Sequence, residues 1–264
     1  MSTIHSLSGP GQPVVCRTST PHVLEIELNR PAARNAINDE VAQLLASCLE
    51  EFDRDPELRV AVVSGRGSGF CAGLDLKAFL AGETGMHTER GFAGLTSKPP
   101  LKPVIAAVEG FALAGGLEIA LACDLIVAAS DAKLGIPEVQ RGLVADGGAL
   151  LHLSRRVPYQ LAMKLALTGE PISGEDALRA GLVGYSVPPG SAVDRARDIA
   201  ERIARNAPLA VQATKQILVE GRDWSLQESW RMQDQIARPV WSSRDAEEGA
   251  RAFAERRLPD YSGT

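Results

Sequence analysis

Two glycine-rich loops and two glutamates are the residues of this chain most suited to chemistry. GRGSGFCAG (65–73) and GFALAGG (110–116) each follow an apolar, β-rich run and lead into a helical pattern. Glycine lets a backbone approach a ligand closely, and the first turn of a helix leaves N–H groups unpaired beside a partial positive charge. One such loop is an ordinary strand-to-helix turn. The two echo each other, however, as Ala72-Gly73-Leu74-Asp75 and Ala114-Gly115-Gly116-Leu117-Glu118. Two such loops side by side offer converging N–H donors, able to hold an oxygen on which negative charge develops. Glu118 opens the second helix, where the dipole alone favours a carboxylate, and Glu138 follows Pro137 in the turn LGIPEVQRG. Taken singly, each is more often structural than catalytic. The case rests on Glu118 lying three residues beyond a prospective donor, Gly115.

Other chemistries find little support. The first loop has Phe70 where a dinucleotide fingerprint needs its third glycine, and no GK[ST] follows it. There is no GxSxG elbow and no HExxH, and the four histidines lie outside the loops. His152 sits in an apolar helical run and reads as packed. The four cysteines (Cys16, Cys48, Cys71, Cys123) are scattered without a CxxC pair, which argues against zinc, redox and disulfide frameworks. Asp124 ends the second helix, a poor dipole location, and needs a partner.

The elements that must position these residues follow from pattern. Residues 13–17 and 23–28 read as strands, the second by the alternation Val23-Leu24-Glu25-Ile26-Glu27-Leu28. Asn38 caps a helix with the apolar stripe Val41, Leu44, Leu45, Cys48, Leu49 and Phe52. Strands follow at 60–63, 104–108 and 125–129, with helices from Leu74 and over 117–123, and a loop over 82–99. Short continuous apolar strands between helices indicate an α/β fold with its sheet covered on both faces. Helical patterns cover 192–205, 208–220, 223–237 and 244–257, so the expected division is a core over 1–195 and a helical region over 196–264. The 264 residues, 45% hydrophobic, suffice for a large core, and a net charge of −5 offers no field for nucleic acid. Residues 1–12 read as a polar, frayed tail without the features of a signal peptide, and no apolar run is long enough to span a bilayer. The expected setting is the reducing cytoplasm.

Four ordered segments together resemble the crotonase (enoyl-CoA hydratase/isomerase) superfamily: LNRPAARNAI (28–37), GSGFCAGLDL (67–76), KPVIAAVEGFALAGGLEIALACDLIVAASDAKLGIPEVQRGL (102–143) and EGARAFAERRLPDYSG (248–263). The resemblance runs along essentially the whole chain. It implies a spiral of repeated strand–strand–helix (ββα) units with a C-terminal helical trimerisation region, assembled as trimers or as hexamers built from two trimers. It implies an acyl-CoA ligand, with coenzyme A part of the substrate and no separate cofactor or metal. Carried over by position, the oxyanion donors are the N–H groups of Ala72 and Gly115. Glu118 matches the base that activates water, and Glu138 the group that moves the proton at Cα. Ala72, Gly73, Leu74 and Asp75 match the stretch along coenzyme A. Arg30, Ala32 and Arg34 match further contacts to it, and Phe253 and Arg256 match contacts at the C-terminus, reached from a neighbouring subunit. The activity implied is reversible syn addition of water to a trans-2-enoyl-CoA. An enoyl-CoA isomerase, a specialised dehydratase or a silent acyl-CoA binder are the alternatives.

One departure stands out. Where family hydratases commonly read GxxPGxGG, this chain reads GLVADGG, placing Ala145 and Asp146 there. Asp146 either touches substrate and the glutamate pair or caps the following helix from outside the pocket, and capping is the expectation. Acyl-chain preference should depend on residues 76–100, including Phe79, Met86, Phe92 and Leu95, and on the helix after Asp146.

Overall fold

The alternation over Val23–Leu28 forms strand β2, whose Leu24, Ile26 and Leu28 are buried on one face and Val23 on the other. The structure, a computed structural model, describes residues 4, 9, 11–87 and 89–264. Most of the tail expected over 1–12 lies outside the described residues, but Ile4 is buried in the core, so that stretch is not frayed throughout. Among the described residues the main sheet runs in the order β1 (Val14–Thr20), β2, β3 (Val60–Gly65), β6 (Val104–Val108), β8 (Leu125–Ala129) and β11 (Tyr185–Val187). β1 pairs antiparallel with β2, and every later pairing is parallel. A second sheet, β10 (Ile172–Ser173), β9 (Lys133–Gly135) and β7 (Phe111–Leu113), stacks the return strands. A small hairpin joins β4 (Met86–His87) to β5 (Gly91–Phe92).

Helix α1 (Asp39–Arg54) starts where expected: the Asn38 side chain accepts from the Val41 N–H, and Asp39 and Glu40 occupy the first turn. Its stripe buries Val41, Leu45, Cys48, Leu49 and Phe52 against one face of the main sheet. Also on the chain are α2 (Leu76–Leu80), α3 (Gly115–Ala122), α4 (Ala149–Arg156), α5 (Tyr159–Thr168) and α6 (Gly174–Arg179). Helix α7 (Ala192–Ala204) covers the opposite face of the sheet, packing Ala192, Ala196, Ile199 and Ala200 on Val23, Val60, Val62, Ile105 and Val127. Its small residues let helix and sheet approach closely. The division expected at 195/196 therefore falls inside an element of the core.

Beyond it come α8 (Pro208–Glu220), α9 (Leu226–Trp241) and α10 (Arg244–Glu255). Helix α9 continues through Pro239, past the end expected at 237, and buries no residue of its own. An exposed helix can leave the carbonyl orphaned by proline to water. Helix α8 is fastened to the core by Lys215, whose Nζ lies 2.6 Å from Asp124 Oδ2 and 3.0 Å from the Lys102 carbonyl. This is the partner Asp124 required, and the same carboxylate oxygen accepts from the Val104 N–H at 2.8 Å. Replacing Lys215 by methionine leaves the Asp124 carboxylate with its backbone donor alone, so urea denaturation should show a loss of about 1 kcal/mol. No helix among the described residues is long and apolar enough to cross a membrane.

Candidate active site

Both glycine loops close onto one cavity of about 520 Å³, a volume ordinary for a small-molecule site. The first loop is held by the chain around residues 34–37. Ile37 N–H donates to the Gly73 carbonyl and Asp75 N–H to the Ile37 carbonyl, each at 2.8 Å. In such a pairing the intervening residue directs its N–H to the opposite side. That residue is Leu74, and its amide has no acceptor among the described residues. The amide expected to be available here, that of Ala72, is already engaged: it donates to the Arg34 carbonyl at 3.1 Å. The free donor in this loop is therefore two residues further on.

The second loop turns into α3 through Ala114, a non-glycine residue at φ 53°, ψ −130°. Such a conformation costs on the order of 1–3 kcal/mol and persists only where its surroundings enforce it. It points the first amide of the helix, that of Gly115, away from any acceptor among the described residues. The two loops touch: a Cβ on Gly73, whose φ is +95°, would lie 2.7 Å from Ala114 Cβ and 2.8 Å from Gly115 N. Leu74 and Gly115 both line the cavity. Two free amides so placed can receive one developing negative charge.

Glu118, in the first turn of α3, is 4% exposed and lines the same cavity. Its Oε1 accepts from the Ala149 N–H at the start of α4, 3.2 Å away. Burial pushes its pKa up to about 7; the amides of Ala149 and Gly147 oppose the rise, and the charges of Glu138 and Asp146 add to it. A Cβ on Gly147 would lie 2.4 Å from Glu118 Oε2, so any larger residue there displaces the carboxylate. Glu138, in the 3-10 turn Pro137–Arg141, is 8% exposed and also faces the cavity. Burial raises its pKa too, against its own amide and the Arg141 charge. Its Oε2 is buried without a hydrogen-bond partner among the described residues. Burial thus raises both carboxyl groups of the site, that of Glu118 to about 7.

Other expectations meet mixed outcomes. Asp146 does not cap α4: the cap position is Gly148, the first helical amide, that of Ala149, donates to Glu118, and Asp146 lines the cavity. Arg34 lines the cavity as well. Arg30 instead spans two segments, with Nη2 2.9 Å from Asp75 Oδ2 and Nη1 on the Ala36 carbonyl. Asp75 also caps α2 through the amides of Lys77 and Ala78, so that helix begins at Leu76 rather than Leu74. Ala32 lies exposed on the turn 31–33. Phe253, 87% exposed on α10, and Arg256, which ends that helix at φ 56°, do not line the cavity of the single chain. Phe79, Met86 and Phe92 do line it, whereas Leu95 is buried in the core. The Cys71 thiol beside the loop is pushed up to about 12 by burial and accepts from the Gly73 N–H, so it is no nucleophile. His152 is half-buried and depressed to about 4, first by burial and then by neighbouring arginines, consistent with a packed, neutral ring. Sequence reasoning placed Leu74 along coenzyme A but not as the free amide donor, and it missed Arg141. The i, i+3 spacing of Glu138 and Arg141 was the available signal for the latter.

Residues 18–264 match the profile of a protein family described as enoyl-CoA hydratase/isomerase. The chain is 40% identical over 247 residues to enoyl-CoA hydratase EchA19 of Mycobacterium tuberculosis, covering 91% of this chain and 93% of that one. It is 41% identical over 254 residues to a carnitinyl-CoA dehydratase of Proteus mirabilis, with 93% and 97% covered. A crystal structure of enoyl-CoA hydratase EchA1 from Mycobacterium marinum superposes with a TM-score of 0.93 at 51% identity, covering 96% of this chain and 99% of that one.

Proposed function

Since this chain belongs to the enoyl-CoA hydratase/isomerase family of the crotonase superfamily, we propose that it catalyses reversible syn addition of water to a trans-2-enoyl-CoA, giving a 3-hydroxyacyl-CoA. The observation that carries this reading is the presence of two buried glutamates, Glu118 and Glu138, in the cavity that also holds the free amides of Leu74 and Gly115. A thioester Cα–H is too weak an acid for an unaided carboxylate. In this reading the amides of Leu74 and Gly115 receive the enolate oxygen, each contributing roughly 3–4 kcal/mol in the transition state. Leu74 replaces Ala72 as the first-loop donor because the Ala72 amide is spent on Arg34. Glu118 takes a proton from water as its oxygen adds to Cβ, and Glu138 delivers one to Cα. Dehydration reverses both transfers.

Coenzyme A lies along residues 72–75 and the turn 30–34. Arg34 is the cation of that group free to meet it, because Arg30 is committed to Asp75. Phe253 and Arg256 reach coenzyme A from a neighbouring subunit in a trimer or a hexamer. The large apolar side chains left exposed on α9, among them Leu226 and Trp230, support that assembly, which sedimentation can measure.

Asp146 favours a second reading, a dehydratase or isomerase for a specialised acyl group, because it puts a third carboxylate in the cavity. Mixing the protein with crotonyl-CoA and longer trans-2-enoyl-CoAs, and following the loss of conjugated-thioester absorbance, separates the two. Flat traces across the series overturn hydration of simple enoyl-CoAs. Solvent deuterium entering Cα without addition of water identifies the isomerase. Neither event leaves a silent acyl-CoA binder.

A further inference from the structure

Arg141 ends the 3-10 turn in which Glu138 is the second residue. Such a helix turns once in three residues, so side chains at i and i+3 eclipse. Residues 138 and 141 therefore project together, and both line the cavity. Arg141 has no carboxylate within salt-bridge distance among the described residues. Its one hydrogen bond, 3.3 Å long, goes to the Pro137 carbonyl of its own turn. The other charged groups lining the cavity are Glu118 from α3, Asp146 from the segment before α4 and Arg34 from the turn after β2. Of these, Arg141 acts on Glu138 in one sense and Asp146 in the other.

We propose that Arg141 is a positioning residue for the proton: set against Asp146, it keeps Glu138 the ionised member of the glutamate pair and leaves the shared proton on Glu118. This rests on the reading of the pair as the proton-transfer groups. The empty site is then loaded for dehydration. Glu138 takes the Cα proton, the C–H electron pair enters the enolate, and the Cβ–O bond breaks with its pair on oxygen. That oxygen takes the Glu118 proton and leaves as water. The site ends with the proton on Glu138, the form that starts hydration. Both directions use a pair carrying one proton in total, so both share one bell-shaped pH profile.

The test compares Arg141→Gln, Arg141→Lys and Asp146→Asn with the wild type. Loss of the cation makes the Glu138 carboxylate costlier, so it holds its proton to higher pH. In Arg141→Gln the acid limb of kcat/KM should rise by roughly 0.5–1 pH unit. Arg141→Lys should restore it, and Asp146→Asn should move it downward. The same shift is read without turnover by 13C NMR of protein labelled at the glutamate carboxyl carbon, with the Glu138 signal identified by its absence from Glu138→Gln. If the protein hydrates no enoyl-CoA, the functional reading fails, and this titration still decides the role of Arg141. A Glu138 midpoint equal in Arg141→Gln and wild type overturns the proposal.

Discussion

Replacing Glu118 by glutamine should cut hydration at least a hundredfold while making the folded chain more resistant to heat. The activity loss follows from the size of general acid–base effects, ~10²–10⁴. The stability gain follows from burial. Glu118 is raised from its ordinary 4.5 to about 7, so between those values the folded state binds more protons than the unfolded one. Stability then falls as pH rises through that window, and the deficit is complete above it. Removing the carboxyl abolishes the deficit, a gain on the order of 2 kcal/mol at pH 8 and little at pH 5. The gain is trimmed because the new amide nitrogen would face the Gly147 N–H, which now donates to the carboxylate. Thermal melts at the two pH values read it as a difference of several degrees. Undiminished turnover would remove Glu118 from the mechanism, and a pH-independent Tm difference would remove the burial argument.

Gly73→Ala is the companion test, aimed at the amides rather than the acids. At φ +95° an alanine is strained whatever the space, and here its Cβ has none, with Ala114 Cβ at 2.7 Å and Gly115 N at 2.8 Å. The methyl group wedges between the loops and turns the Leu74 and Gly115 amides apart. Donors of this kind contribute most when charge has developed, so kcat should fall by ~10²–10³ with a smaller change in KM. Stability should drop as well, by roughly 1–3 kcal/mol, which calorimetry distinguishes from the kinetic effect. A variant with full kcat would show that these amides receive no developing charge.

What the sequence made legible was local. Asn38 as a cap, the stripe from Val41 to Phe52 and the apolar runs at 104–108 and 125–129 each carry their signal within a few residues. The approach of the loops could also be anticipated, because glycine, helix start and carboxylate recur in step, whereas the pairing of Glu138 with Glu118 followed only from the family resemblance. The rest depended on distant chain. Which amide of the first loop stays free is decided by Arg34 and Ile37, some forty residues upstream, and nothing in residues 65–76 announces it. Asp146 reads as a cap until Gly148 is seen to hold that position. Helix α7 reads as the start of a separate helical region because an amphipathic pattern does not say which apolar surface it will meet.

The two walls of the cavity carry unequal obligations. On the glutamate side, Gly147 already lies against the Glu118 carboxylate, and any larger residue there displaces it. On the other side stand Leu76 and Phe79, from a five-residue helix with no buried residue, and Met86, from a two-residue strand; all three are partly open to solvent. Little of the fold depends on them. Descendants of this sequence could therefore exchange those three side chains and acquire new acyl groups at small thermodynamic expense, leaving the proton-handling half untouched. Directed libraries for altered substrate range belong at 76, 79 and 86, where diversity is tolerated, and should spare 147.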